Sequence, residues 1–297
     1  MAVVISMINL KGGVGKTTCA VNLAATLSRL QQRVLLLDVD AQASASGLLL
    51  TDDTYRNLRK AGRTLPFVLR DFWESKDYAP SSAVFQKDFV KNPKTGVPLL
   101  PALQLIAGDS RMRKLDEPIS KRRLTLPRLM NRIGNGFDYV ICDLPPALGP
   151  VSLAFLLASN YYLVPVIPDK LSVMGLTDLV PSIHKYVIQH DSVEVYPQLL
   201  GVFMNRVASG NKTADQPLYM EEVKRIFSSG QFTKYGIPPE EGARIPLREM
   251  ISDTVDIPYS ASDRLPVCVR SDNNSKIADD FELLAKSVLD RILEKSQ

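Results

Sequence analysis

Nine consecutive residues, Leu10-Lys11-Gly12-Gly13-Val14-Gly15-Lys16-Thr17-Thr18, place three glycines, two lysines and two hydroxyls between a short apolar run and an amphipathic stretch. Glycines in such a turn let successive backbone N–H groups point at one anion, and a helix that starts there adds the positive end of its dipole. The chemistry that follows is polyphosphate binding. Gly12, Gly13, Val14, Gly15, Lys16, Thr17 and Thr18 would form the cradle, Lys16 would bring charge to the β- and γ-phosphates, and the Thr17 hydroxyl would ligate Mg²⁺. The general pattern GxxxxGK[ST] asks for glycine where this chain has Leu10, and a second lysine, Lys11, follows it.

Carboxylates complete the set. Mg²⁺ takes octahedral oxygen coordination and keeps several waters, so one hydroxyl, phosphate oxygens and a carboxylate at a strand end, Asp143, are sufficient. Asp40 lies two residues beyond the expected end of a strand, where it can orient or deprotonate an attacking water.

The loop with its early lysine resembles the deviant Walker A sequence, KGGxGKT, of the ParA/MinD family of ATPases. The resemblance continues at Asp38-Val39-Asp40-Ala41-Gln42, similar to the family's DxDxQ first switch with Ala41 in place of a common proline. Asp143-Leu144-Pro145-Pro146 is similar to its DxPP second switch. Asn205 and Arg244-Ile245-Pro246 resemble the segments that flank adenine, which implies contacts from Asn205 and Pro246. The match runs through the chain in order and is poor over residues 51–100. It implies a P-loop NTPase that binds ATP with Mg²⁺ and forms a nucleotide-sandwich homodimer. In that dimer Lys11 acts on the partner's nucleotide, Lys16 acts on its own, and Asp40 is the catalytic carboxylate. It also implies non-specific DNA binding in the ATP state and a ParB-like or other adaptor that stimulates hydrolysis, so that DNA is segregated or positioned in the cytoplasm on the nucleoid. Positioning of a protein cargo, such as a microcompartment or chemoreceptor cluster, and a MinD-like membrane cycle are the alternatives.

Positioning these groups requires strand ends converging on a loop. Val3–Ile8, Val34–Asp38, Tyr139–Cys142, Tyr162–Ile167 and Gly201–Met204 read as strands. Lys16–Leu30, with apolar residues at 20, 23, 24 and 27, reads as a helix with one buried stripe. Strands alternating with helices predict an α/β fold with a mainly parallel twisted sheet flanked by helices. We expect one domain over residues 1–297, with an inserted irregular or short-helical region near 51–100 rich in scattered charges and prolines.

At 297 residues, 45% hydrophobic and 23% charged, the chain has the composition of a globular protein. Its three cysteines, Cys19, Cys142 and Cys268, are odd in number and widely spaced, and His184 and His190 lack metal-ligand spacing. Neither a disulfide framework nor a thiolate metal site is expected, and the apolar start lacks the basic flank of a signal peptide, so a reducing cytoplasmic setting is expected. No helix-turn-helix is expected ahead of the first strand.

Residues 111–132 carry eight basic and two acidic side chains, a net +6 on a chain whose total is +4. Such density can neutralise phosphates and release counterions. A solvated helix face is the bland alternative. Arg122, Arg123 and Arg128, with Arg248 and Arg270 nearer the end of the chain, are the candidate DNA contacts. Residues 279–297 hold Phe281, Leu284, Val288 and Ile292 at helical spacing but sum to −2, the wrong sign for an anionic bilayer, so no membrane contact is expected.

Overall fold

The computed structural model describes residues 1–75, 77–188, 196–208, 216–254, 262–270 and 276–296. Seven strands, β1 (Val3–Met7), β2 (Val34–Asp38), β3 (Leu103–Ile106), β4 (Tyr139–Asp143), β5 (Tyr161–Val166), β6 (Gln198–Val207) and β7 (Pro246–Ser252), form one parallel sheet in the order β3-β2-β4-β1-β5-β6-β7. The strand order reverses at β1, the strand that feeds the glycine-rich loop, and in open α/β sheets ligands settle at such a switch.

Side chains alternate across this sheet because successive residues of a strand point to opposite faces. Leu35 and Leu37 of β2 and Val164 and Val166 of β5 enter one apolar layer with helices Leu65–Glu74, Leu126–Ile133, Pro150–Leu157 and Leu176–Ile183. Leu36 of β2 and Leu163 of β5 enter the other layer, with helices Lys16–Arg29 and Lys276–Lys295. The last helix buries Phe281, Leu284, Val288 and Ile292 there, so its apolar stripe is used inside the protein. Truncating a fully buried leucine such as Leu284 would cost about 2–5 kcal/mol.

Five strands occur where the hydrophobic runs place them. The two edge strands, β3 and β7, are additions. Only four residues long, β3 follows Pro98 and Pro101 and is interrupted by Gln104. A proline opens β7, which also carries Arg248 and Glu249. Charge and an initial proline are tolerated at an edge because one side of the strand has no ladder to complete. Residues 51–100 hold the helices Asp52–Lys60 and Leu65–Glu74, and isolated bridges join Gln86 to Leu105 and Lys91 to Pro98. No described helix is long and apolar enough to cross a membrane.

Candidate nucleotide site

Register determines which groups meet. Met7 pairs with Asp143, and Asp38 also pairs with Asp143, so the ends of three adjacent strands lie level with the loop entrance. From that point the loop turns through two left-handed glycines, Gly13 at φ 76° and Gly15 at φ 83°, before helix Lys16–Arg29 begins. A β-carbon added at Gly15 would stand 2.4 Å from Asn205 Nδ2. Asn205, buried on β6, donates from Nδ2 to the Val14 carbonyl at 2.7 Å and so braces the loop from the side. The start of the loop is braced as well, since Asn9 donates to the Pro165 carbonyl at 2.7 Å and accepts the Lys11 N–H at 2.9 Å.

Lys16 is 8% exposed, and burial lowers its pKa while Asp143 and then Asp40 pull it back up. Both carboxylates therefore act on the same ammonium. Asp143 is fully buried, and neither of its oxygens has a hydrogen-bond partner in ordinary geometry. Burial, followed by the charge of Asp38, pushes its pKa up to about 8, tempered by the nearby Thr17 hydroxyl. Asp38, also fully buried, accepts from the Ser46 N–H at 2.7 Å and the Ser46 hydroxyl at 2.6 Å, and burial raises its pKa to about 6. Two desolvated carboxylates side by side, one unpartnered and next to a threonine hydroxyl, suit a divalent cation. Among the described residues no group of three His, Cys, Asp or Glu side chains forms a ready-made metal cage. Thr17 and Asp143 would accordingly hold Mg²⁺ together with phosphate oxygens and water.

Asp40 lies beyond the end of β2, partly exposed, with Oδ1 accepting the Gln42 N–H at 2.9 Å. Lys11 turns back into its own chain, donating to Asp169 Oδ2 at 2.8 Å and to the Ser172 hydroxyl at 3.0 Å. Lys11, Gly12, Gly13, Val14, Gly15, Lys16, Thr17, Thr18, Asp40, Asp143 and Asn205 are thus gathered at one end of the sheet. Pro246 stands one strand further out than Asn205, level with Val202 on β6. Asp169 and Ser172 were missed by sequence reasoning. Asp169 lies three residues beyond the end of β5, and Asp143 is the last residue of β4, so a carboxylate at or soon after a strand end was the available signal.

The candidate DNA contacts do not share one surface. Arg122, Arg123 and Arg128 belong to the segment between β3 and β4, whereas Arg248 is exposed on β7 at the opposite edge of the sheet. Arg270 has a side chain only 16% exposed and pairs with Asp263 at 3.0 Å. Cys19 and Cys142 are buried beside the loop, and burial pushes both thiols up, which suits packing rather than reactivity. His184 meets the Tyr235 ring at a tilt of 56°, with 4.8 Å between ring centroids, while His190 falls outside the described residues.

Known proteins share this fold. A family model described as an AAA domain matches residues 2–194. The chromosome partitioning protein ParA of Myxococcus xanthus is 30% identical over 231 residues, 77% of this chain and 73% of that protein. Among solved structures, pNOB8 ParA bound to nonspecific DNA superposes with a TM-score of 0.70 at 21% identity over the whole of both chains. A putative plasmid partition protein from Borrelia burgdorferi B31 bound to AMPPNP gives 0.66 at 20% identity, covering 99% of this chain and all of the other. With its seven-stranded parallel P-loop fold and the family match over most of its length, the chain belongs to the ParA-type partition ATPases.

Proposed function

We propose that this protein hydrolyses ATP with Mg²⁺ in a nucleotide-sandwich homodimer and binds DNA without sequence preference while ATP is bound. An adaptor of the ParB kind then triggers hydrolysis and release, so that DNA is segregated or positioned on the nucleoid, in the cytoplasm. The observation that supports this best is the register of β1, β2 and β4, which sets Asp143 and the approach to Asp40 against the two-lysine loop.

In this reading the backbone N–H groups from Gly12 to Thr18 receive the phosphates, and Lys16 neutralises the β/γ oxygens. Bound Mg²⁺, held through Thr17 and Asp143, would supply charge neutralisation on the phosphates. Asp40 orients the attacking water, and its position outside the strand leaves it room to do so. Lys11 adds charge at the partner's γ-phosphate, so full stabilisation of the transition state waits for dimerisation. Phosphoryl transfer demands mostly positioning and charge, and both are divided here between two subunits.

The test is binding of random-sequence duplex DNA by the full chain with ATP, with ADP, and by an Asp40→Ala variant with ATP. Binding is expected with ATP, strongest and longest-lived in the Asp40→Ala variant, and weak with ADP. Equal binding in all three conditions, or binding to anionic vesicles in place of DNA, would overturn the reading.

A further inference from the structure

The +6 stretch is not a row of freely moving side chains. Helix Leu65–Glu74 of the inserted region buries Leu65, Val68, Leu69 and Phe72 toward the core. Its aromatic rings meet guanidinium groups of the basic segment. Arg111 lies over the Phe67 ring at 5.1 Å, and Arg70 of the helix itself lies over the same ring at 4.7 Å. Arg122 lies over Trp73 at 5.5 Å and Arg132 over Phe72 at 5.8 Å. Trp73 also fixes the turn beneath Arg122. Its indole N–H donates to the Thr125 hydroxyl at 3.2 Å, and that hydroxyl donates to the Arg122 carbonyl at 2.7 Å. Arg132 is held further by donation to the Tyr78 carbonyl at 2.5 Å. Between these anchored arginines, Arg113, Lys114 and Arg128 are exposed and have no ion-pair partner among the described residues.

We infer that this surface, residues 110–132 together with helix Leu65–Glu74, is where duplex DNA binds, with Phe67, Phe72 and Trp73 holding the arginines in place for it. The inference rests on the DNA-binding reading above and selects one surface for it, away from Arg248 and Arg270. Arginine outnumbers lysine in the stretch by six to two, and a guanidinium, planar and weakly hydrated, pairs with phosphate through two parallel bonds while its face rests on a ring. Stacking also removes part of the side-chain entropy that a phosphate contact would otherwise cost. A bilayer is a poorer occupant, because Ile119, Leu126, Leu129, Met130 and Ile133 are all buried in the core, and Leu124 alone is the exposed large apolar side chain of the stretch, too little to form an apolar face. The surface is also tied to the nucleotide site. Helix Asp116–Arg122 and the turn at Arg123–Thr125 pack on helix Pro150–Leu157, which begins just after the second-switch segment Asp143–Pro146.

Trp73 is the single tryptophan of the chain, so its fluorescence reports on this surface alone. The experiment titrates the full chain with a random-sequence duplex in the presence of ATP, reading Trp73 emission and the anisotropy of labelled DNA across a salt series. The expected result is a change in Trp73 emission that tracks DNA binding. Combined Arg113→Ala, Lys114→Ala and Arg128→Ala replacement should weaken binding at least tenfold and lower the slope of log K against log salt by about 2–3, with nucleotide affinity unchanged. Trp73→Ala should weaken DNA binding severalfold and Trp73→Phe should restore most of it, which separates stacking from loss of fold. Wild-type DNA affinity in the triple variant, or an unchanged Trp73 signal at saturating DNA, would overturn this surface while leaving DNA binding itself intact. Failure of the wild-type chain to bind duplex DNA with ATP would overturn the underlying reading, and capture of anionic vesicles or polyglutamate instead would assign the surface to another polyanion.

Discussion

The Lys11 ammonium is bonded to Asp169 Oδ2 at 2.8 Å in its own subunit, and the same carboxylate caps helix Lys170–Met174 by accepting the Ser172 N–H at 2.8 Å through its other oxygen. Burial works against the charge of Asp169, but the hydrogen bonds from Lys11 and Ser172 outweigh it and hold the carboxyl below its ordinary range. A lysine tied in this way cannot also reach a partner's nucleotide. Both side chains are 37% exposed, so the pair is a weak restraint of about 0–1 kcal/mol, small enough for dimerisation to break. Asp169→Asn should therefore lower the protein concentration needed for ATP-dependent dimerisation by up to about fivefold, measured by sedimentation velocity. In a Lys11→Ala background the same change should do nothing. A weaker dimer in Asp169→Asn would mean that Asp169 supports the assembled state instead.

Gly15 and Asn205 are fitted to each other. At φ 83° a side chain is strained, and a β-carbon would also strike Asn205 Nδ2. Gly15→Ala should weaken nucleotide binding by at least about tenfold, or 1.4 kcal/mol, in calorimetric titration. Asn205→Ala removes the clash and the brace together, so the double variant should remain defective because the left-handed turn is still strained. Recovery of wild-type affinity in the double variant would show that crowding alone mattered.

Lys16 and Asp40 separate binding from chemistry. Lys16 is almost wholly buried, and Asp143 and Asp40 favour its charged form against that burial, so Lys16→Ala should abolish measurable ATP binding. Asp40 stands outside the strand, and Asp40→Ala should keep ATP affinity within about threefold while turnover drops by roughly 10²–10⁴. Intact ATP binding in the first variant would mean that the loop is misassigned. Unchanged turnover in the second would remove Asp40 from its role.

Much of this site was readable because it is written locally. Strand, glycines, lysines and helix are contiguous from Val3 to Arg29, and a buried strand such as Val34–Asp38 announces itself as an apolar run. Long-range facts were not readable. Nothing near Lys11 in sequence points to Asp169, because their meeting depends on the pairing of β1 with β5. Trp73 and Arg122 likewise meet only when helix Leu65–Glu74 folds back beside the basic segment. The edge strands escaped for a related reason. Half-covered positions such as Gln104 and Arg248 need not be apolar, so hydrophobic patterning is weakest at the sheet's margins.

The buried carboxylates give the protein a pH dependence of known direction. An unfolded aspartate ionises near 3.8, whereas the folded protein keeps a proton on Asp38 up to about 6 and on Asp143 up to about 8. Between those limits the folded state binds more protons than the unfolded state, so stability is fully present below pH ~4 and declines as pH rises. Asp38 contributes to the decline up to about pH 6, and Asp143 continues it to about pH 8. The Tm of the nucleotide-free protein should therefore fall between pH 5 and pH 8, and Asp143→Asn should flatten the upper half of that range. A bound divalent cation reverses the preference of Asp143 by favouring its ionised form. Mg²⁺-nucleotide should then stabilise the wild-type protein more at pH 8 than at pH 6, with protons released on binding near pH 7, while Asp143→Asn should lose the Asp143 share of both effects. Scanning calorimetry across this range, with titrations in buffers of different ionisation enthalpy, measures both. Parallel pH profiles for wild type and Asp143→Asn would show that Asp143 is already ionised without nucleotide and that Lys16 and Thr17 are enough to hold its charge.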